Sequence, residues 1–190
     1  MDRAAKNPSF GLPGVRHVTK SLGLESGIVR LVPYDPAWPE LFVAEAARIR
    51  GALSIAMPIA LEHVGSTAVP GLAAKPVLDI LGGYPPASDV RQYVEALCAA
   101  GYVHRGEQGI PGREFFRRGD PRCYHLHLAV EHGQFWREHL AFRDALRASV
   151  ELRDAYATLK ERLARQFPND REAYIDGKTA FVREVVGRRS

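Results

Sequence analysis

The residues of this sequence that could do chemistry are concentrated between Glu62 and Asp79. Gly65, Ser66 and Thr67 directly follow an apolar run. Glycine has no Cβ, so the backbone there can approach a phosphate group closely, and the two hydroxyl groups can bond to its oxygens. This order of residue types predicts a phosphate-binding turn at the end of a strand. The alternative is that the glycine only shapes a loop.

Asp79 stands inside the next apolar run of the chain, with Leu78 before it and Ile80 after it. A carboxylate among apolar neighbours is unusual unless it is paired or bound to a metal ion. Asp79 is therefore predicted to be a catalytic residue and a metal ligand. The alternatives are that it caps the turn at Gly82 and Gly83 or that it pairs with an arginine.

Three further side chains could complete a metal site with Asp79. Glu62 stands on the apolar run that precedes the predicted phosphate-binding turn. His125 and His127 lie two positions apart in an alternating run, so they point to the same face of one strand. We predict Glu62 as a catalytic residue and metal ligand, His127 as a metal ligand, and His125 as an acid, a base or a substrate contact. The alternative for both histidines is hydrogen bonding in or beside the core.

Four basic side chains could contact the oxygens of a phosphate group. Lys75 precedes the apolar run of Asp79, and Lys178 stands near the start of a helical segment, where each would act as a compact cation. Arg113 and Arg117 could clamp a phosphate or carboxylate through two parallel hydrogen bonds. The alternatives are lysines exposed to solvent and arginines that keep an edge strand soluble.

The composition excludes several classes of function. The 190 residues suit one domain, and 26 basic against 22 acidic residues give a net charge of +4. This excess is small and is spread along the chain without a dense basic stripe, so nucleic acid is not expected as a partner. No stretch reaches the roughly 18 consecutive apolar residues of a membrane helix, and the N-terminus lacks an apolar signal core. The sequence therefore predicts a cytoplasmic protein that does not contact a membrane.

The elements that must position these residues alternate between strands and helices. Strands are predicted at residues 28–32, 59–64, 77–81, 102–103, 114–118 and 124–130. Helices are predicted at residues 39–53, 88–100, 134–148, 152–167 and 173–186. This pattern predicts an α/β (α+β mixed) class, with a mixed sheet flanked by helices and a C-terminal helical stretch. Residues 1–27 show no periodicity and are predicted to be a flexible leader to a domain of residues 28–190.

Five blocks of the sequence resemble those of the GrpB family. The longest is EHVGSTAVPGLAAKPVLDI at residues 62–80. The others are VPYDPAWP at 32–39, GIPGR at 109–113, YHLH at 124–127 and DGKTAF at 176–181. The resemblance extends over residues 28–186 and rests on specific motifs.

This resemblance implies a nucleotidyltransferase-like fold, in which a mixed sheet carries a Gly-Ser motif and acidic residues on the next strand bind a divalent metal ion. The implied cofactor is Mg²⁺ or Mn²⁺, and the implied substrate is a nucleoside triphosphate. Imidazole ligands suit Zn²⁺ better than Mg²⁺, which leaves Zn²⁺ as an alternative. The sequence departs from the superfamily pattern at Leu81, where active members usually carry a second acidic residue.

Two functions from different classes remain open at this point. The first is a nucleotidyltransferase that acts on a small-molecule acceptor with a metal-bound nucleotide. The second is a catalytically inactive domain that binds a nucleotide or a coenzyme A-related ligand, and Leu81 favours this second function.

Overall fold

The computed structural model describes residues 21–187. Five segments of this range pair into one sheet: β1 (Ala60–Val64), β2 (Leu78–Tyr84), β3 (Val103–His104), β4 (Glu114–Arg118) and β5 (Tyr124–Val130). Their order across the sheet is β1-β2-β5-β4-β3. β2 and β5 run parallel, and the other neighbouring pairs are antiparallel. The sheet is therefore mixed, and its parallel pair lies at its centre.

Helices cover both faces of this sheet. They are α1 (Trp38–Ala52), α2 (Val90–Ala99), α3 (Gln134–Ala148), α4 (Val150–Gln166) and α5 (Arg171–Gly187). A short 3-10 helix, Ser66–Ala68, follows β1. This arrangement confirms the predicted mixed α/β class with a C-terminal helical stretch. Within residues 21–187, no helix is long and apolar enough to cross a membrane.

The two faces of the sheet differ because successive strand residues point to opposite sides. On one face, Ile80, Leu126 and Leu128 are fully buried in a core that includes residues of α1 and α2. On the other face, Leu81 packs against Trp136 of α3. Asp79 lies two residues before Leu81 on the same strand, so the polar site belongs to the face covered by the C-terminal helices.

Local sequence signals explain where the helices begin. Asp89 caps α2, because its carboxylate accepts a hydrogen bond from the backbone N–H of Arg91 at 3.1 Å. Ser149 caps α4 in the same way through the N–H of Leu152 at 3.1 Å. A cap of this kind stabilises a helix by about 1 kcal/mol. These two helices accordingly begin within two residues of the predicted positions.

The strand predicted at residues 28–32 is wrong. Val32 forms only an isolated bridge with Ala74. Val29 packs against Leu163 and Tyr174 of the C-terminal helices. Branched side chains fit any half-buried extended segment, so this run satisfies its preference by packing rather than by joining the sheet.

β2 continues through Gly82 and Gly83 to Tyr84, beyond its predicted end at Leu81. A Cβ on Gly83 would lie 2.6 Å from the ring of Trp136. The glycine that suggests a turn in the sequence therefore serves the close approach of α3 to the sheet.

The predicted leader falls partly inside the described range, although its residues 1–20 lie outside it. Leu24 is fully buried and forms a bridge with Arg122. The N–H of Gly23 donates to the carbonyl of Pro76 at 2.9 Å. Residues 21–27 therefore contact the loops that precede β2 and β5.

Candidate functional site

The parallel pairing of β2 with β5 brings Asp79 and two histidines together. Asp79 stands opposite His125 in the register, and His127 follows on the same face. The Oδ1 atom of Asp79 lies 2.9 Å from Nδ1 of His125 and 3.4 Å from Nε2 of His127. One possible ligand atom from each of these three residues lies within 4.8 Å of the others. Such a convergence of two ring nitrogens on a carboxylate is typical of a metal site.

The charge states of Asp79 and His125 suit a bound cation. Burial raises the pKa of Asp79, but hydrogen bonds and charge from the two histidines outweigh it and hold that pKa well below its usual value. Burial lowers the pKa of His125 to about 4, although Asp79 opposes the shift. An ionised carboxylate beside a neutral imidazole is the state that metal coordination requires.

Each histidine of the group also has a ring nitrogen that lacks a partner. Nε2 of His125 and Nδ1 of His127 are buried without a hydrogen bond. A buried polar atom without a partner is uncommon in a folded protein. If a cation took the nitrogens that now face Asp79, the ring protons would move to these other atoms. The carboxylate oxygen and the two ring nitrogens that converge here are a donor set that fits a divalent cation, and we call Asp79, His125 and His127 the metal group.

The Gly-Ser turn packs directly against Asp79. Gly65 has φ 70° and ψ −171°, a combination that only glycine adopts readily. A Cβ at this position would lie 2.7 Å from Oδ2 of Asp79. Two separate constraints therefore require glycine at position 65: the backbone conformation and the close contact with the carboxylate of Asp79.

The hydroxyl groups of the turn are held by neighbouring side chains. Thr67 is buried, and its Oγ1 lies 3.0 Å from Nε2 of His63. Lys160 of α4 donates from Nζ to Oγ of Ser66 at 3.0 Å and also to the carbonyl of Ala73. Ser66 is thus held by the amine of Lys160, whereas the hydroxyl of Thr67 is engaged by His63 within the fold.

Among residues 21–187, Lys75, Lys160 and Lys178 lie near the turn, and the sequence had indicated only Lys75 and Lys178. Burial, together with repulsion from Lys178, lowers the pKa of Lys75 to about 7. Burial also lowers the pKa of Lys160 to about 7 and that of Lys178 to about 8. Lys75 and Lys178 stand 5.5 and 4.6 Å from the ring centroid of Tyr174. An anion beside these side chains would favour their charged forms.

Lys160 was not among the predicted site residues, because only its helical spacing from other buried residues distinguishes it in the sequence. It lies four residues after Tyr156 and three before Leu163, and all three are buried on one side of α4. A lysine among buried positions at helical spacing needs a reason, since a fully buried lysine is rare without a partner. That pattern was visible in the sequence and could have identified it.

Glu62 and Arg113 have partners other than the metal group, and Arg117 lies against an aromatic ring. Glu62 forms an ion pair with Arg143 of α3, with Oε2 and Nη1 at 2.6 Å. Arg113 is buried and donates to the backbone carbonyls of Glu107 and Gln108, so its guanidinium holds a loop. Arg117 lies over the ring of Phe115 at 5.5 Å.

A cleft of about 970 Å³ opens in front of the metal group. Helices α3, α4 and α5 supply much of its wall. Neither Glu62 nor Arg117 is among the residues that line it. Nine of the predicted site residues do line it: Gly65, Ser66, Thr67, Lys75, Asp79, Arg113, His125, His127 and Lys178.

The fold and the site together define an α/β protein with a His/carboxylate group in a cleft lined by both basic and acidic side chains. The family model described as "GrpB protein" matches residues 28–188. The chain belongs to the GrpB family, as its sequence blocks had indicated.

Individual relatives agree with this assignment. UPF0157 protein PA4798 of Pseudomonas aeruginosa is 45% identical over 166 residues, which are 84% of this chain and 67% of that protein. The crystal structure of conserved protein GrpB from Enterococcus faecalis has a TM-score of 0.75 at 34% identity and covers 84% of this chain and 96% of that one. The Cid1 poly(U) polymerase overlaps over 68% of this chain and 45% of its own, with a TM-score of 0.43 at 14% identity.

Proposed function

We propose that the cleft binds a nucleoside triphosphate together with a divalent cation and transfers its nucleotidyl group to a small-molecule acceptor. The observation that carries the proposal is the metal group of Asp79, His125 and His127 at a turn whose Ser66 is held by Lys160. A carboxylate would hold the cation, and the lysines would neutralise the triphosphate.

The proposed reaction exchanges one bond at the α-phosphorus. An oxygen of the acceptor releases any proton it carries to solvent and forms a bond to that phosphorus, while the bond to the bridging oxygen breaks and pyrophosphate leaves with its electron pair. The cation would supply positive charge to the phosphate oxygens. Lys75 and Lys178 would orient the triphosphate and stabilise the charge that develops on the leaving group.

The donor set favours a transition metal over Mg²⁺. Two imidazoles and one carboxylate suit Mn²⁺ or Zn²⁺, whereas Mg²⁺ prefers oxygen ligands. The proposal therefore takes Mn²⁺ or Zn²⁺ as the ion at this site. Glu62 is not included among the ligands, because Arg143 engages its carboxylate.

Isothermal titration with each nucleoside triphosphate, with and without Mn²⁺, Zn²⁺ or Mg²⁺, tests this proposal. Wild-type protein is expected to bind one triphosphate in a metal-dependent manner, and Asp79→Asn is expected to weaken that binding at least tenfold. Asp154→Asn is the matched control, because Asp154 is an exposed carboxylate on α4. Equal binding by wild-type and Asp79→Asn protein, or no binding with any metal, would rule the proposal out.

A second candidate, a binding domain without catalysis, is favoured by Leu81. This residue is fully buried and packs against Val64 and Trp136, so no second carboxylate stands two residues after Asp79. A nucleotide or coenzyme A-related ligand would then be held without turnover. Metal-dependent binding without release of pyrophosphate, across a panel of acceptors, would select this candidate.

A further inference from the structure

Arg122 carries a buried charge that lacks a partner. It lies in the loop before β5 and is only 5% exposed. Its Nε, Nη1 and Nη2 atoms are all buried, and none of them makes a hydrogen bond. A buried guanidinium normally has its N–H groups paired, because an unpaired buried charge strongly destabilises a fold. An anion that binds there would remove this penalty.

Two further arginines belong to the same region. The Nε atoms of Arg117 on β4 and Arg171 at the start of α5 are also buried without a partner. The three guanidinium groups are close enough to repel one another: burial, and then the charges of Arg171 and Arg122, lower the pKa of Arg117 to about 10. We call Arg117, Arg122 and Arg171 the arginine cluster.

The described chain offers no counter-ion to the arginine cluster. Within residues 21–187, none of its three members forms a salt bridge, although the charges of Glu25 and Asp79 act on Arg122 from a longer distance. Residues 1–20 contain one acidic and four basic residues, so their composition does not supply an excess of negative charge. Asp170 accepts a hydrogen bond from the N–H of Ala173 at the start of α5, and neither Asp170 nor Glu172 of that first turn forms an ion pair with Arg171.

The cluster is also connected to the cleft. Arg171 lines the cleft together with Lys75 and Lys178. The charges of Arg122 and Arg171 both act on Lys75. An anion on the cluster would therefore lie beside a ligand held by the lysines and the metal group.

We propose that the arginine cluster binds an oxyanion of the acceptor, so that the acceptor is a small molecule with a phosphate or carboxylate group. The assignment of this ligand as the acceptor rests on the proposed function, whereas the anion site itself does not. Guanidinium groups match the planar geometry of both oxyanions and bind them through paired hydrogen bonds. The protein then has two anion sites, one in the cleft for the triphosphate and one for the acceptor where Arg171 meets the edge of the cleft.

The test uses the full chain with inorganic phosphate in one titration and acetate in another, which separates the two oxyanions. Arg122→Met and Arg171→Met are each expected to weaken binding of the preferred anion at least tenfold, since hydrogen bonds to a charged group are lost. Arg165→Met, which removes an exposed arginine of α4, is the matched control and is expected to leave it unchanged.

Thermal unfolding in anion-free buffer separates this role from a structural one. Arg122→Met removes an unpaired buried charge, so its Tm is expected to equal or exceed that of the wild-type protein, while the rise in Tm with phosphate or acetate disappears. If Arg122→Met is destabilised, Arg171→Met decides the titration, because Arg171 is only partly buried. Unchanged binding of both anions in Arg171→Met would overturn the proposal, as would failure of the wild-type protein to bind either anion.

Nucleotide titrations distinguish the failure of this inference from that of the proposed function. Asp79→Asn is expected to bind the simple anion normally and to lose metal-dependent nucleotide binding. Retained anion binding in a wild-type protein that binds no nucleotide would support the anion site and overturn its assignment to an acceptor. If Lys178→Met loses anion binding and the arginine variants retain it, the anion binds to the lysines and the inference is overturned.

Discussion

Replacement of Gly65 by alanine should damage both the stability of the fold and the metal group. Gly65 has φ 70° and ψ −171°, and an alanine held there is destabilised by about 1–3 kcal/mol. The new Cβ would also lie 2.7 Å from Oδ2 of Asp79, so that carboxylate must turn away at a further ~0.5–1.5 kcal/mol. We therefore expect Gly65→Ala to lower the free energy of unfolding by about 1.5–4.5 kcal/mol. We also expect it to weaken Mn²⁺ binding about tenfold or more.

Gly71→Ala provides the matched control for this prediction. Gly71 also has a positive φ, of 79°, but no atom lies within 4 Å of its hypothetical Cβ. Its replacement should destabilise the fold by about 1–2 kcal/mol through the backbone alone and should leave Mn²⁺ affinity unchanged. Urea unfolding and Mn²⁺ titration of both variants measure the difference. Equal stability and equal Mn²⁺ affinity in the two variants would refute the argument that Gly65 is needed by Asp79.

Three other outcomes are expected. Folding lowers the pKa of Lys160 from 10.5 to about 7, so the unfolded chain binds more protons between these pH values and the free energy of unfolding rises with pH. Lys160→Met should reduce this rise by up to about 1.4 kcal/mol per pH unit, measured by urea unfolding between pH 7.5 and 9.5. An unaltered slope in the variant would contradict the lowered pKa. Glu62→Gln should lower the free energy of unfolding by about 1 kcal/mol or less, because the Glu62 side chain is 41% exposed. The variant should bind Mn²⁺ with unchanged affinity. A tenfold loss of Mn²⁺ affinity would instead make Glu62 a metal ligand. Gly177→Ala would place a Cβ 2.5 Å from Leu163 and should lower the free energy of unfolding by about 1–3 kcal/mol. Gly187→Ala is the control and should not destabilise the fold, because no atom lies within 4 Å of its hypothetical Cβ. Equal effects of the two variants on the free energy of unfolding would contradict the packing argument.

Local patterns predicted most of the elements because their causes are local. The alternation of His125 and His127 with apolar residues indicated β5, and the amphipathic run after Asp89 indicated α2. The segment at residues 28–32 failed because a β-branched run reports only that a residue fits an extended, half-buried environment. Whether such a segment finds a partner strand depends on residues far away in the chain.

The sequence by itself determined the family, the Gly65-Ser66 turn and the residue types that could hold a metal ion. Only the tertiary structure decided which of these side chains meet. The parallel pairing of β2 with β5 joins Asp79 to His125 across 46 positions, and Arg143 engages Glu62 across 81. These encounters depend on strand register and on helix packing, which are set by burial of whole apolar faces rather than by neighbours in the chain.

The basic residues of the cleft show the same division. Lys160 reaches Ser66 across 94 positions. Arg122 and Arg171 belong to a loop and a helix end, where arginine is ordinarily exposed, and only the packed structure buries the guanidinium atoms that lack partners. The sequence shows which residues carry a charge. Whether an opposite charge lies near enough to pair with it depends on how the helices, strands and loops pack in the folded protein.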